Sequence, residues 1–209
     1  DNFNSAYPPE IKRKRAAILK ELDIPIYEVS LSNRAEQEKI FAAHSPEVVI
    51  NLAAQAGVRA SLNHPERFVD TNISGFVELL EVIKKAKPKK FIYASSSSVY
   101  GDNTKFPLSE SDVTDHPVSL YAATKKANEL IAYAYHKMTE IQMIGLRFFT
   151  CYGPYGRPDM AIYMFTKNIH EGKPITVFDG GNMKRDFTYV DDIVDGVVAS
   201  INAPIAFDV

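Results

Sequence analysis

Tyr121 and Lys125 are residue types that together can move a proton near neutral pH. Side chains four positions apart lie on one face of a helix, about one turn from each other. A lysine ammonium beside a phenol lowers the pKa of the phenol, and the tyrosinate can then accept a proton from a hydroxyl group. The same spacing from tyrosine to lysine recurs at Tyr133 and at Tyr163, so the spacing alone does not select Tyr121.

A run of four serines, Ser95 to Ser98, follows an apolar stretch, and Ser96 lies 25 residues before Tyr121. If the apolar stretch is a strand, these serines lie at its carboxyl end, where open α/β sheets bind their ligands. Ser96 is then a candidate hydrogen-bond donor to the oxygen from which Tyr121 takes its proton. The residues alone leave open the alternative that small polar side chains simply mark the end of a strand.

The elements that would position these residues follow from hydrophobic periodicity. The continuous apolar run 48–53 predicts a strand buried on both faces, other apolar runs predict further strands, and amphipathic stretches predict helices. Their alternation implies right-handed crossovers, and therefore a doubly wound α/β fold with a parallel sheet and helices on both faces. The predicted strands are 24–29, 48–53, 91–95 and 144–149, and the predicted helices are 33–44 with Ser32 as its cap, 65–86 and 119–139.

The pattern changes after residue 149. Glycine and proline are frequent in 151–159, which predicts a loop. A helix over 161–171, a short strand over 175–178 and a turn at 179–182 follow. Near the amino terminus, the basic run 12–15 is expected to be the solvated face of a helix.

The composition limits the kinds of partner and site. The 209 residues are 45% hydrophobic and 24% charged, with a net charge of -2, so neither nucleic acid nor an anionic membrane is an expected partner. No apolar run approaches the ~18 residues that a membrane span needs. The single cysteine, Cys151, excludes an internal disulfide and favours a cytoplasmic setting. The five histidines lack metal-ligand spacing, so no metal is expected.

Several segments, in order along nearly the whole chain, resemble the extended short-chain dehydrogenase/reductase family, which contains NAD-dependent epimerases and dehydratases. The family's catalytic serine or threonine, tyrosine and lysine correspond to Ser96, Tyr121 and Lys125. Because the family pattern requires the upstream serine at a strand end, it selects Tyr121 among the three tyrosines. The other matching segments are Asn51-Leu-Ala-Ala-Gln55, Asn72, Arg147-Phe-Phe-Thr-Cys-Tyr-Gly-Pro154 and Arg185-Asp-Phe-Thr-Tyr-Val-Asp-Asp192.

The resemblance implies a Rossmann-like sheet, NAD as cofactor and a UDP-sugar as substrate. Residues 1–150 would form the NAD-binding domain and 151–209 part of a substrate-binding region, with 185–202 returning to the main domain. The implied cofactor-binding residues are Asp1, Leu31, Leu52, Ala53, Ala54, Gln55, Asn72, Tyr121, Lys125, Phe148 and Cys151. The implied substrate-binding residues are Ser97, Ser98, Thr150, Arg157, Val177 and Arg185.

The family's glycine-rich turn, whose backbone amides hold a pyrophosphate, does not occur in this sequence. Asp1 resembles the acidic residue that follows that turn and binds the adenosine ribose. We therefore expect the first strand, the turn and the first helix to precede Asp1, and the rest of the substrate domain to follow Val209.

The residues around Ser96 narrow the reaction that the resemblance implies. Dehydratases of the family carry Asp-Glu at the positions of Ser97 and Ser98. UDP-glucuronate decarboxylases carry a glutamate at the position of Ser98. Epimerases of neutral UDP-hexoses commonly carry asparagine where this chain has Thr150. The segments 95–101 (Ser-Ser-Ser-Ser-Val-Tyr-Gly), 147–150 (Arg-Phe-Phe-Thr) and 156–160 (Gly-Arg-Pro-Asp-Met) together most resemble the UDP-glucuronate 4-epimerases. This resemblance implies 4-epimerisation of a UDP-hexuronic acid through a 4-keto intermediate.

Three alternatives stay open at this point. The first is a 4-epimerase of a UDP-hexose or a UDP-N-acetylhexosamine, and the second is a decarboxylase-like enzyme. The third is a non-catalytic nucleotide-sugar-binding module, because the pyrophosphate turn is not in the sequence. Relatives form dimers through the helices that correspond to 65–86 and 119–139, so the resemblance also implies a homodimer.

Overall fold

The computed structural model describes residues 1–177, 179–182 and 184–209. The chain forms two compact units. The minor unit contains residues 1–28 and 149–194, and the major unit contains residues 29–148 and 195–209. The domain division predicted at residue 150 stays a prediction about the whole protein. Within the described ranges, no helix is long and apolar enough to cross a membrane.

The strands of the described residues form two parallel sheets, one in each unit. The major unit holds a four-stranded sheet of order β1-β2-β3-β6, and the minor unit pairs β4 with β5. The parallel sheet flanked by helices confirms the predicted α/β class. The strands are β1 Val48–Asn51, β2 Lys90–Ala94, β3 Gln142–Leu146, β4 Thr150–Tyr152, β5 Phe187–Tyr189 and β6 Phe207–Asp208.

Helices α2 and α6 of the major unit begin at residues whose side chains cap them. The Asn33 side chain accepts a hydrogen bond from the amide of Glu36, so Asn33, not Ser32 as predicted, caps α2. Ser119 accepts one from the amide of Ala122 and caps α6. The helices are α1 Pro9–Glu21, α2 Arg34–His44, α3 Val58–Asn63, α4 Pro65–Phe68, α5 Gly75–Ala86, α6 Leu120–Thr139, α7 Ala161–His170 and α8 Val190–Asn202.

The core of the major unit lies between the sheet and helices α5 and α6. Strand β2 is its centre, since Phe91, Ile92 and Tyr93 are fully buried. Burial of side chains of this size stabilises the fold by about 1.5–3 kcal/mol each, and it fixes where the strand ends. The α5 and α6 residues packed on β2 are Phe76, Leu79, Leu80, Ile83 and Ala132.

Lys90 begins β2 and is almost completely buried. Its ammonium donates to the carbonyl oxygens of Ser200, Ile201 and Ala203 at distances of 3.1, 3.0 and 2.5 Å. These carbonyls belong to the last turn of α8 and the residues after it, where the helix dipole favours a cation. Lys90 therefore connects the carboxyl end of α8 to the amino end of β2, and Ala94 lies at the other end of this strand.

The helix predicted over 65–86 is interrupted by a π-helical turn, Val69–Ser74, between α4 and α5. Asn72 lies in this turn and is buried. A π turn adds a residue to the helical ladder, and such turns are frequent at functional sites. Gly75 follows it, and a Cβ at Gly75 would lie only 2.9 Å from the Cβ of Leu31.

Three predicted elements were wrong. Residues 24–29 are not a strand: no described strand pairs with them, and Pro25 cannot donate to a ladder. Residues 175–177 are not a strand either, and Phe178 lies outside the described residues. The loop predicted at 151–159 begins instead as strand β4, which pairs with β5 through Cys151 and Thr188.

Strand β1 was predicted to be buried on both faces, and this was also wrong. It is an edge strand of the described sheet, and 38% of the Ile50 surface is exposed. The continuous apolar run 48–53 predicts a strand with two neighbours, whereas β1 pairs only with β2 among the described strands.

Candidate active site

Ser96 lies immediately beyond the carboxyl end of β2. Its extended backbone ends the strand, and its side chain caps a short 3-10 helix, Ser97–Tyr100. The hydroxyl of Ser96 accepts hydrogen bonds from the amide and the hydroxyl of Ser98, at 3.2 and 2.9 Å. A hydroxyl that accepts these bonds keeps its own proton as a donor. The Ser96 hydroxyl is thus fixed by two hydrogen bonds and is largely buried at the carboxyl end of β2.

Lys125 brings helix α6 to the same strand end. Its ammonium donates a 2.8 Å hydrogen bond to the carbonyl oxygen of Ala94, the last residue of β2. The side chain is 4% exposed, and this burial lowers the pKa of Lys125 to about 8. An ammonium has three donors, so two remain for other acceptors.

Tyr121 is half-buried in the first turn of α6, one turn before Lys125. Its amide donates to the hydroxyl of Ser61 in α3, and its ring meets the ring of Phe68 edge to face with centroids 6.2 Å apart. Its carbonyl accepts a 2.8 Å bond from the hydroxyl of Thr124. Both the backbone and the ring of Tyr121 are therefore fixed by neighbouring helices.

Asn72 joins the end of β1 to α6. Its amide oxygen accepts from the Gln55 amide at 2.8 Å, and its amide nitrogen donates to the Gln55 carbonyl and the Thr124 hydroxyl, both at 3.0 Å. The Asn72 carbonyl in turn accepts a 2.6 Å bond from Asn128. The π-helical turn therefore holds the residue that connects Gln55 to helix α6.

Most cofactor candidates of the major unit follow strands β1 and β3. Leu31 instead lies in the loop before α2. Leu52 and Ala53 are exposed, and the Ala53 amide donates to the Asn51 side chain, while Ala54 and Gln55 are half-buried. The Leu31 carbonyl accepts from the Gln37 side chain. The Phe148 carbonyl accepts a 2.9 Å bond from the amide of Ser97, which joins two predicted site segments.

The remaining candidates belong to the minor unit. The Asp1 carboxylate accepts a 2.6 Å bond from the amide of Phe3. The Arg157 guanidinium is paired with Asp159, with 3.0 Å between Nε and Oδ1, so an anionic ligand would compete with that carboxylate. Thr150 and Cys151 lie in β4, and Val177 and Arg185 are exposed. The structure leaves the assigned roles of these residues as predictions.

Sequence reasoning missed a buried ion pair beside Ser96. Glu129 on α6 and Arg147 after β3 form two hydrogen bonds, Nε to Oε1 at 2.9 Å and Nη2 to Oε2 at 3.1 Å. Desolvation alone would lower the pKa of Arg147, but the hydrogen bonds that its guanidinium donates to Glu129 and Tyr100 outweigh this and raise the pKa. The available signal was Glu129 on the otherwise sheet-facing side of α6, one turn after Lys125.

A metal centre has no counterpart in the part of the chain that the structure describes. Groups of three or more histidine, cysteine, aspartate or glutamate side chains that could hold an ion do not occur there.

The chain as a whole is similar to proteins of a known family. Residues 3–208 match the NAD dependent epimerase/dehydratase family. The chain is 50% identical over 206 residues to UDP-glucuronate 4-epimerase 3 of Arabidopsis thaliana, covering 97% of this chain and 48% of that protein. It is 48% identical to Protein CapI of Staphylococcus aureus, covering 98% of this chain and 61% of that protein.

A solved structure is similar over almost the full chain. UDP-glucuronic acid 4-epimerase from Bacillus cereus, in complex with UDP-glucuronic acid and NAD, superposes with a TM-score of 0.89 at 35% identity. The match covers 99% of this chain and 66% of that one. The chain thus spans about half to two thirds of the length of these relatives.

Proposed function

This chain belongs to the NAD-dependent epimerase/dehydratase family, and we propose that it carries the catalytic residues of a UDP-hexuronic acid 4-epimerase. The reaction inverts C4 of the sugar through a 4-keto intermediate, converting UDP-glucuronate to UDP-galacturonate. Identities of about 50% to UDP-glucuronate 4-epimerases support this substrate class over neutral UDP-hexoses.

One observation carries the proposal that the site is catalytic. The hydrogen bond from Lys125 to Ala94 places the Tyr121-bearing face of α6 at the end of the strand from which Ser96 emerges. A non-catalytic module has no need of a buried lysine ammonium at this point, since burial of a charge is costly.

The residues beyond β1 fit a nicotinamide dinucleotide. Small or exposed side chains at Leu52, Ala53 and Ala54 leave the strand end accessible, and Asn72 holds Gln55 behind them. When bound, NAD accepts the C4 hydride and returns it to the other face of the sugar. Two donors of Lys125 would hold the nicotinamide ribose, because Ala94 uses just one.

The chain's own residues handle the proton. Tyr121, ionised with the help of the Lys125 charge, takes the proton of the 4-hydroxyl as general base and later returns it. Ser96 donates its hydroxyl proton to the same sugar oxygen, which is stabilised as it changes from alcohol to ketone. The ammonium of Lys125 is present below a pH of about 8, the value to which burial lowers its pKa.

We infer a role for small neutral hydroxyls from the substrate's own chemistry. A ketone at C4 makes the sugar a β-keto acid, which loses carbon dioxide when the breaking bond aligns with the ketone π system. Neutral hydroxyls can hydrogen-bond the carboxylate without like-charge repulsion. We assign this role to Ser97, Ser98 and Thr150, contact with the UDP moiety to Arg185, and contact with the substrate phosphate or carboxylate to Arg157. To donate to the carboxylate, the Ser98 hydroxyl must give up its bond to Ser96.

We also propose that the full-length protein is a cytoplasmic homodimer. Helix α6 exposes apolar side chains that the core does not use, notably Leu130 at 61% and Tyr133 at 49% exposure. A second copy of the same face would bury them by the symmetric contact that twofold dimers form.

The test is product analysis of the full-length protein. Incubation with UDP-glucuronate and NAD, followed by chromatography of the UDP-sugars, is expected to yield UDP-galacturonate without net formation of NADH. A UDP-pentose as main product would indicate a decarboxylase. No conversion of UDP-glucuronate, with conversion of UDP-glucose, would place the protein among the hexose 4-epimerases.

A further inference from the structure

We propose that the buried Glu129–Arg147 ion pair positions the active site, by fixing the segment that carries Ser96 against the helix that carries Tyr121 and Lys125. Glu129 and Arg147 would act through these residues and would not contact the substrate. The inference rests on the proposed function and assigns a task in that same reaction to two side chains that the mechanism does not otherwise use.

The ion pair contacts the serine segment on both sides of Ser96. Before it, the hydroxyl of Ser95 donates a 2.6 Å hydrogen bond to Oε1 of Glu129. After it, Nη1 of Arg147 donates a 3.2 Å bond to the hydroxyl of Tyr100, and the guanidinium carbon lies 5.0 Å from the centre of that ring. The backbone between Ser95 and Tyr100 is thus held at two points by one charged pair.

The same carboxylate belongs to the catalytic helix. Glu129 is four residues after Lys125 and eight after Tyr121, which places the three side chains on one side of α6. A rigid helix transmits any displacement of Glu129 to Lys125 and Tyr121. The distance between Tyr121 and Ser96 is therefore fixed by the hydrogen bond from Ser95 to Glu129 and by the helix that carries both Glu129 and Tyr121.

The pair is more than a means of stabilising the fold. Removing two charges from water is costly, and well-packed apolar residues often stabilise a buried position as well or better. What a charged, two-bonded pair adds is direction, since a guanidinium and a carboxylate meet in one preferred geometry. Arg147 also donates to the carbonyl of Glu110, and Nζ of Lys126 lies 3.7 Å from Oε2 of Glu129. These two contacts fix the position of the ion pair itself.

The experiment compares three variants of the full-length protein in the UDP-glucuronate assay, with kcat, KM and thermal unfolding measured for each. Ser95→Ala removes one contact without leaving an unpaired charge, and Glu129→Gln keeps the shape but removes the charge. Lys90→Met is the matched control. It removes an equally buried ion from the opposite end of the same strand, β2.

We expect Ser95→Ala and Glu129→Gln to lower kcat by roughly 10- to 100-fold, since misplacement of reacting groups by about 1 Å costs on the order of 10²-fold. KM should change by less than about threefold, because the substrate contacts remain. Lys90→Met should lower the unfolding temperature at least as much as Ser95→Ala, yet retain the kcat of the folded wild type within about twofold.

Two results would overturn the inference. One is a Ser95→Ala variant with unchanged kcat, whether or not Glu129→Gln is impaired or folds, because the contact would then have no part in turnover. The other is a kcat loss in Lys90→Met equal to that in Ser95→Ala, since a general loss of stability would then explain both. A wild-type protein that converts no UDP-hexuronic acid would instead contradict the proposed function.

Discussion

The ammonium of Lys125 and the carbonyl oxygen of Ala94 are joined by a hydrogen bond of 2.8 Å. This bond connects the second turn of α6 to the last residue of β2, two positions before Ser96. The candidate base and the candidate hydroxyl donor come from segments far apart in sequence, and this contact is where the fold brings the segments together.

The burial of Lys125 should be visible in the pH dependence of stability. Its pKa is lowered to about 8 in the folded chain, so between pH 8 and 10.5 the unfolded chain binds more protons on this group. The free energy of unfolding should therefore rise with pH across this window. Below pH 8 the full cost of the buried charge, about 3 kcal/mol, is present.

The measurement compares thermal unfolding of the protein without NAD and its Lys125→Met variant from pH 7 to 10.5. The variant should be relatively more stable at pH 7, and its advantage should shrink as pH rises. Lys137→Met, at an exposed position on the same helix, is the control and should show a constant difference. A constant difference for Lys125→Met as well would contradict the burial argument.

Asn72 should support both stability and cofactor retention. Asn72→Ala removes the side chain that pairs the backbone amide and carbonyl of Gln55, while the Thr124 hydroxyl keeps its bond to the Tyr121 carbonyl. A buried polar group left unpaired costs about 1–3 kcal/mol. We expect a lower unfolding temperature and faster loss of NAD on dialysis. Asn63→Ala, at an exposed position on α3, should change neither. Unaltered NAD retention in Asn72→Ala would separate this residue from the cofactor.

The sequence predicted the central part of this arrangement because that part follows from burial. The apolar run before Ser95 and the periodicity after Ser119 set β2 and α6 within one residue of their observed bounds. The edge position of β1 and the missing strand at 24–29 could not be predicted, because pairing is a property of the sheet and not of the run itself. The π-helical turn at Asn72 likewise leaves no mark in the apolar period.

The neutral hydroxyl of Ser98 should control which product leaves the enzyme. Ser98→Glu introduces a carboxylate beside the substrate carboxylate, and repulsion should favour loss of carbon dioxide from the 4-keto sugar. We expect a raised ratio of UDP-pentose to epimer on chromatography. Ser98→Gln is the control of equal size without charge, and it should slow turnover without raising that ratio. Equal ratios in the two variants would remove charge as the cause.

The exposed face of α6 should form the dimer contact. Leu130→Glu places a charge in an apolar face, and sedimentation equilibrium at micromolar concentration should then show monomer where the wild type shows dimer. Leu22→Glu, at an equally exposed position in the minor unit, is the control and should leave the dimer intact. A dimer that survives Leu130→Glu would place the contact elsewhere.

The ion pair of Glu129 and Arg147 shows where sequence reasoning about the site ends. Spacing and strand-end position made Ser96, Tyr121 and Lys125 candidates, and the resemblance to the short-chain dehydrogenase/reductase family selected Tyr121 among three tyrosines with the same spacing. A glutamate on a helix suggests a solvated face until the fold shows that it is buried against an arginine. Residues that act through packing become visible once the strands and helices are placed.

The most direct test of the account is the rate of UDP-glucuronate 4-epimerisation by the full-length Tyr121→Phe variant. We predict a loss in turnover of roughly 10²- to 10⁴-fold, which is typical of a lost general base, with the fold retained. Tyr133→Phe and Tyr163→Phe, which share the tyrosine-to-lysine spacing, should retain turnover within about threefold. Turnover by Tyr121→Phe close to that of the wild type, or an equal loss in either control, would contradict the central claim that Tyr121 moves the proton.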